Sequence, residues 1–514
     1  RTLLAAEAVG GAGDCVDTAV EYAKVREHFG RTIATFQAVK HHCANMAVAA
    51  ESATALAWDA ARAADEGAQA EDQFRLIAAA VADAAFSGYV RNAELNIQVH
   101  GGIGFTWEHD SHLHLRRAMT LHALFGGDGP AADVFELTAA GVVRDNSLDL
   151  PPAAEDLRTQ VRADAVEIAG LGEAEQLDRL IATGYVMPHW PEPWGRAADA
   201  IEQLVIDEEF RAAGIKRPDY GITGWNILTL IQHGTASQIE RFVEKALRKD
   251  EIWCQLFSEP AAGSDAAAIK TRAVRVDGGW KINGQKVWTS GAHYCRRGLA
   301  TVRTDPDAPK HAGITTMIID MKAPGVEVRP LRMISGGSEF NEVFFSDVFV
   351  PDEDVVGEPN TGWTVARATL GNERVSIGSG AGVGGLKAET IVPLVRDNAN
   401  PFAGAKIRAG HYLAEDHAIR LLNLRRAVRS IEGAGPGPEG NITKLKLAEH
   451  MGEYAAIAGA LLGPDLALGD GVGALVAQLA MGARAMAIAG GTSEITRNQI
   501  AERILGMPRD PLIK

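Results

Sequence analysis

Residues 253–265 read WCQLFSEPAAGSD and residues 283–293 read NGQKVWTSGAH, and the reading of these two stretches decides the fold. In the first, Ser258, Ser264 and the backbone around Gly263 offer hydrogen-bonding groups beside a tight turn. In the second, Trp288 sets a flat apolar face next to the hydroxyls of Thr289 and Ser290. Together they can hold a planar ring with polar edges. Spacing alone favours something plainer, a β domain with Gly-Ser turns and a tryptophan in its core. The surroundings are strand-like in either case. Alternating segments such as TRAVRV and WKINGQKVW, then GITTMIID and NEVFFSDVFV, fill the chain between about 254 and 352. Asp277-Gly278 and Asn283-Gly284 are dipeptides that favour tight hairpin turns, so this region is predicted to be a compact β domain.

Helical patterns lie on both sides. Residues 1 to about 140 are rich in Ala, Leu, Glu and Arg with apolar residues at helical spacing, which predicts a bundle. The polar, proline-containing stretch DNSLDLPPAAED at 145–156 leads into a second helical region ending near 250, and helices return from 362, interrupted by GAGPGPEGN at 433–441. The expected division is a bundle at 1–144, a linker at 145–154, a helical domain at 155–252, the β domain at 253–360 and a second bundle at 361–514.

Composition sets outer bounds. A chain of 514 residues exceeds one ordinary hydrophobic core, and 46% hydrophobic with 23% charged residues is typical of globular domains. No run of about 18 uncharged apolar residues occurs, so no membrane span is expected. A formal charge of -15 argues against a nucleic-acid partner. Cys15, Cys43, Cys254 and Cys295 show neither CxxC spacing nor disulfide-scaffold density, which fits a reducing cytoplasm. The sequence opens with Arg1 directly in a helical pattern, and the natural start is expected upstream.

A weak internal repeat matters more than these bounds. Arg1 begins RTLLAAEAVGGAGD and Arg374 begins RVSIGSGAGVGGLK, while LFGGDGP at 124–130 is answered by IAGGTSEIT at 488–496. We read two copies of one bundle, the first lacking the helical and β parts that precede the second.

The segments SEPAAGSD, INGQKVWTSG, FNEVFFSDVFVP and GGTSEITRNQIAERILG, in that order, resemble the acyl-CoA dehydrogenase family. The likeness covers about 155–514 as a complete module and 1–145 as the C-terminal bundle of another, where KVREHFGRTIATFQAVKHH and IQVHGGIGFTWEHD also resemble the family. It implies a mainly α fold with a central β domain: an N-terminal helical domain, a middle β-barrel-like domain and a C-terminal four-helix bundle, here preceded by a second such bundle. It also implies FAD and the removal of two hydrogens from Cα and Cβ of an acyl-CoA thioester, a carboxylate taking the α-proton while hydride passes to the flavin. By this likeness Gln255, Phe257, Ser258, Gly263 and Ser264 line FAD, with Trp288, Thr289 and Ser290 against its ring system.

One position departs from the common pattern. Many members carry the catalytic glutamate immediately before the Gly-Thr of the last motif, where this chain has Gly490. Glycine cannot take a proton, although its N–H remains available to polarise a thioester oxygen. A smaller set, similar to the isovaleryl-CoA and long-chain enzymes, places the base on another helix directly before an arginine, which is Glu373 followed by Arg374. From the residues alone, GNERVSIGSG at 371–380 equally allows a solvated helix-end charge. The resemblance implies that Glu373 is the base and Arg374 an orienting charge, since a base needs only a carboxylate within reach of the α-carbon.

In family dimers the ADP portion of FAD is held partly by the neighbouring subunit, and the first bundle supplies that set as Arg26, Phe29, Gln37, Gln98, Gly101 and Gly102. The second bundle lacks it, reading VRDNANPFAGAKIRAG and GALLGPDLALGDGVG in the corresponding places, while Thr492 and Glu494 resemble positions that touch the cofactor from the other side. The expectation is a fused pseudo-dimer with one FAD and one working site. Similarity to fused actinobacterial enzymes implies a bulky or branched acyl group such as a steroid side-chain CoA, an electron-transfer flavoprotein as acceptor, and pairing of two fused chains as a homodimer. The alternatives are an acyl-CoA oxidase and a non-catalytic binding protein that keeps the fold. His109, Asp110, His112 and His114 contain an HxH pattern, but they sit at a helix start without further ligands, so no metal is expected. MPHWPEPWG at 187–195 is expected to shape a loop near the acyl entrance.

Overall fold

The computed structural model describes residues 1–146, 150–152, 154–378, 387–431, 439–468 and 470–511. They divide into two units, Arg1–Leu148 with Gly384–Lys514, and Asp149–Val383. In the first unit, α1 (Thr2–Val25) buries Ala5, Ala8, Ala12, Cys15, Ala19 and Ala23 along one face. Side chains this small let neighbours come close: a Cβ on Gly11 would stand 2.4 Å from the Tyr89 ring. Tyr89 lies on α3 (Glu71–His100), which follows α2 (Gln37–Asp65); α4 (Ser111–Phe125) and α5 (Asp128–Ala139) complete the first bundle. A hairpin of β1 (Glu27–His28) and β2 (Arg31–Thr32) joins α1 to α2.

The second unit opens with α6 (Ala154–Ala169), α7 (Glu173–Ala182), α8 (Ala200–Ala212), α9 (Gly221–His233) and α10 (Ala236–Leu247). Helix starts are chemically marked, Asp199 accepting from Glu202 N at 2.8 Å and Thr235 with Gln238 forming a capping box. An eight-stranded sheet follows: β3 (Trp253–Leu256), β4 (Arg272–Val276), β5 (Gly279–Ser290), β6 (Arg297–Arg303), β7 (Ile314–Asp320), β8 (Val326–Pro330), β9 (Phe340–Pro351) and β10 (Val355–Val356). The order is β10-β7-β6-β4-β5-β9-β8, with β3 parallel to β6, and α11 (Gly362–Gly378) ends the unit.

The two turn dipeptides part company here. Asp277-Gly278 is the two-residue loop between β4 and β5, with Gly278 at φ +72°. Asn283-Gly284 is not a turn but lies inside β5, where the register against β9 shifts. Gly284 has φ +152°, and a Cβ there would lie 2.6 Å from Thr271 Oγ1. The glycine answers a close approach within a bulge, not a chain reversal.

Returning to the first unit, α12 (Ile391–Arg396), α13 (Ala405–Ile431), α14 (Glu439–Leu462), α15 (Gly471–Met486) and α16 (Ser493–Gln499) form the second bundle. Residues 379–386 of the repeat that begins at Arg374, and 432–438, which include most of the GAGPGPEGN loop, lie outside the described residues. One continuous core runs through both bundles, from Leu56, Phe86 and Phe135 to Leu413, Leu422 and Ile457. Their backbones touch at Gly410, where a Cβ would come 1.9 Å from Ala131 O. Lys40 with Glu502 at 2.6 Å and His411 with Asp83 at 2.8 Å add ion pairs across the same junction. Among the described residues no helix is long and apolar enough to cross a membrane.

Candidate active site

The opening motif begins as strand β3, and α9 fixes it at three places. Thr223 Oγ1 accepts from Trp253 N at 3.0 Å, Asn226 Nδ2 donates to Cys254 O at 3.1 Å, and Trp225 Nε1 donates to Gln255 Oε1 at 2.6 Å. From the other end of its amide, Gln255 Nε2 donates to Glu373 Oε2 at 3.1 Å. The neighbouring Asn372 donates to Thr229 Oγ1 and Gln232 Oε1 at 3.2 and 3.1 Å, so α9 also sets the register of α11. Glu373 is therefore part-buried and engaged, not a solvated helix-end charge. Nothing is described of the Arg374 side chain.

Past β3 the chain turns at Glu259–Ala262, which bond to each other through both backbone N–H groups at 3.0 Å. Glu259 itself is buried. It accepts from Lys270 N at 2.6 Å, Thr271 N at 3.0 Å and Lys286 Nζ at 2.7 Å, and Lys286 also donates to Phe257 O at 3.2 Å. Burial pulls the Lys286 ammonium down to about 8 against the pull of Glu259. Burial alone would raise the Glu259 carboxyl, but the Lys286 charge and the backbone N–H groups hold it below its ordinary value. The pair ties the turn to β5, aided by Val287 N donating to Ser258 O at 2.9 Å. Beyond it Gly263 and Ser264 are exposed, and a Cβ on Gly263 would meet nothing within 4 Å among the described residues.

Trp288 is not a core residue. It is 58% exposed, at φ +60°, where the β5–β9 register shifts a second time. A bulky side chain in left-handed backbone costs roughly 1–3 kcal/mol, and such strain clusters where a ligand is met. Phe340 braces the indole edge-on at 6.2 Å. Beside it, Thr289 Oγ1 is buried with no hydrogen-bond partner among the described residues. Phe257 is buried, and Ser258 and Ser290 are part-buried.

In the first unit the remaining predicted residues gather at one end. Tyr22 of α1 packs at a tilt against His100 of α3 with ring centroids 4.3 Å apart, which aligns the ends where Arg26 leaves α1 and Gln98, Gly101 and Gly102 close α3. Phe29 and Gly30 both take positive φ, 55° and 76°, at the tip of the β1–β2 hairpin, leaving Phe29 92% exposed. A two-residue loop with both φ positive matches the twist of short strands. Gln37 starts α2 at the same end, and one turn on, His41 Nε2 meets Glu494 O at 3.2 Å and Asn498 Oδ1 at 3.1 Å. Thr492 caps α16 there, accepting from Ile495 N at 3.3 Å. Gly490 has φ +66°, a conformation that by itself disfavours a side chain. Cβ atoms on Gly101 or Gly102 would meet nothing within 4 Å among the described residues.

The histidines of HDSHLH are occupied with local partners. His109 packs on His100 at 4.3 Å, His112 stacks on Trp107 at 4.4 Å, and His114 bonds Tyr89 Oη at 3.0 Å. In the MPHWPEPWG loop Trp190 is buried, while Trp194 lines an open cavity of about 550 Å³ with Ile231 and Ile239. Sequence reasoning missed Trp225 and the Glu259–Lys286 pair. A lysine at an inward position of an alternating strand was the available signal for the latter.

Comparison with known proteins identifies the family. The sequence model described as acyl-CoA dehydrogenase, C-terminal domain, matches residues 1–130 and 360–505, and the one described as acyl-CoA dehydrogenase, middle domain, matches 254–348. The acyl-CoA dehydrogenase FadE34 of Mycobacterium tuberculosis is 46% identical over 516 residues, covering 99% of this chain and 70% of that protein. The acyl-CoA dehydrogenase IpdE1 of the same organism is 37% identical over 345 residues, 65% of this chain and 87% of that one. Among solved structures, the Tcur3481-Tcur3483 steroid ACAD superimposes with a TM-score of 0.54 at 28% identity, covering 71% of this chain and all (100%) of that one. The ChsE4-ChsE5 complex from Mycobacterium tuberculosis gives 0.54 at 25% identity with the same 71% and 100% coverage. The chain belongs to the acyl-CoA dehydrogenase family of oxidoreductases.

Proposed function

We propose that this acyl-CoA dehydrogenase oxidises a bulky or branched acyl-CoA thioester, such as a steroid side-chain CoA, with FAD as cofactor and Glu373 as base. The observation that carries this reading is the 3.1 Å bond between Gln255 and Glu373, which joins the helix bearing the carboxylate to the strand that enters SEPAAGSD. The residues present suit a flavin nucleotide. Trp288 offers an exposed aromatic face, Thr289 an orphaned hydroxyl, and Gly263, Gly101 and Gly102 open backbone. Trp288, Thr289 and Ser290 would hold the ring, with Ser258, Gly263 and Ser264 near it. Arg26, Phe29, Gln37, Gln98, Gly101 and Gly102, with Thr492 and Glu494, would hold the dinucleotide end.

The chemistry FAD supplies when bound is acceptance of the hydride from Cβ. Glu373 takes the proton from Cα, and loss of both hydrogens leaves a double bond conjugated with the thioester carbonyl. Gly490 keeps a backbone N–H as a donor for the thioester oxygen while adding no side-chain bulk. That economy of volume, with the steroid ACAD name of a relative, supports a large acyl group. Electron-transfer flavoprotein is the acceptor in this reading, and two chains pair. Exposed Leu113 and Leu124 on α4, and Val472 and Leu475 on α15, support such an interface.

Anaerobic mixing of the purified flavoprotein with cholan-24-oyl-CoA, isobutyryl-CoA and octanoyl-CoA tests the substrate class. Bleaching of the flavin band is expected fastest with a branched or steroidal thioester; preference for octanoyl-CoA would contradict it.

A further inference from the structure

We infer that Gln255, oriented by Trp225, is a positioning residue for Glu373. The inference rests on the reading of Glu373 as the base and deepens it. An amide side chain has an accepting and a donating end of nearly equal shape, and what lies on each side decides which way it points. The Trp225 indole is a donor only, so at 2.6 Å it must face Oε1 of Gln255. The NH2 group is thereby turned towards Glu373 Oε2, 3.1 Å away. Were the amide reversed, two donors would meet at Trp225 and two acceptors at Glu373.

The surroundings hold this orientation fixed. Asn226, 0% exposed, and Thr223, 7% exposed, bond the backbone of the two residues before Gln255, so the strand cannot slide past the indole. On α9, Trp225, Thr229 and Gln232 fall at i, i+4 and i+7, one face of the helix. Trp225 sets Gln255, while Thr229 and Gln232 receive Asn372, the residue before the base. Carboxylate and amide are thus located from one helix. An N–H bond to a carboxylate oxygen favours the ionised form, which is the form that accepts the α-proton. The likeness to the family places Gln255 among flavin contacts; its amide is engaged at both ends by protein groups.

The test uses Gln255→Met, Trp225→Phe and the double variant, with circular dichroism as a check on folding and rates taken per bound FAD. The readout is exchange of the thioester α-proton into D2O, followed by NMR against pH. The enzyme is first reduced with dithionite, so that proton removal proceeds without hydride transfer. The probe is whichever of isobutyryl-CoA, octanoyl-CoA and cholan-24-oyl-CoA bleaches the wild-type flavin fastest. Losing the donor makes the ionised carboxylate less favourable, so the acid limb moves to higher pH, by ~1 unit in Gln255→Met. Trp225→Phe shifts it the same way by less, and the double variant goes no further than Gln255→Met because both act through one bond. Lower rates with an unmoved limb, or additive shifts, would overturn the inference. Glu373→Gln separates the two levels: exchange that survives it overturns the base assignment, whereas its loss together with unmoved limbs overturns the role of Gln255 alone.

Discussion

The first bundle and the second share three long helices in the same order and differ in what joins them. Helices α2, α3 and α4, of 29, 30 and 15 residues, correspond to α13, α14 and α15, of 27, 24 and 16. Between α1 and α2 the first bundle keeps a hairpin that displays Phe29, and after α3 it keeps an open glycine turn. In the second, α12 and a loop stand in place of the hairpin among the described residues, whereas α14, like α3, runs out at an open positive-φ glycine, Gly463, and a 3-10 turn. Helical packing constrains the long elements through the shared core, so they persist in both copies. In the proposed reading the connections carry recognition and are free to diverge once one copy supplies it.

The largest effect should come from Glu373→Gln. Bleaching by substrate is expected to fall by ~1000-fold or more, about 4 kcal/mol of barrier, with FAD retained. Full activity would move the base elsewhere. Next, the loops can be set against each other. Removing Arg26 and Phe29 together should weaken FAD retention by roughly 10- to 100-fold, since a charge-assisted contact and an aromatic face are lost. Arg396→Ala, on the helix that stands where the hairpin would be, should leave retention unchanged. Equal losses in equilibrium dialysis would erase the contrast between the copies.

Gly410→Ala breaks the junction itself. A methyl group 1.9 Å from Ala131 O forces α13 and α5 apart, and overpacking of this kind costs about 1–3 kcal/mol. Calorimetry should show a lower Tm, whereas an unchanged Tm would mean that the bundles do not pack so closely.

The smallest effect is a pH dependence with two signs along α13. Burial holds His417 down to about 4, with Arg420 acting the same way and Glu389 and Asp59 opposing. Between its ordinary 6.5 and about 4 the unfolded chain binds a proton that the fold refuses, so stability falls as pH drops through that window. Asp83 raises His411, whose contribution is full below 6.5 and fades as pH rises through its folded value. His417→Gln should therefore flatten the loss of Tm on acidification and His411→Asn should steepen it; identical profiles would remove both assignments.

Much of this was legible in the sequence, because four ordered motifs and a repeat are dense signals. The rest was hidden for physical reasons. Asn-Gly serves a bulge as well as a turn, and only the partner strand distinguishes them, as at Gly284. Trp288 looks like core until its positive φ turns it outwards. The union of the first bundle with α12–α16 depends on contacts hundreds of residues apart, such as Gly410 against Ala131, which no local pattern announces. Trp225 sits in GWNILTL, an apolar helix whose indole reads as packing until its N–H finds Gln255.

The most direct test of the central claim, one cofactor site built once from two unequal copies, is the amount of FAD released per purified chain on denaturation. The account predicts a value near one. A value near two would mean that the second bundle keeps a recognition set of its own, and a value near zero in folded protein would mean that the residues assembled here do not hold the cofactor.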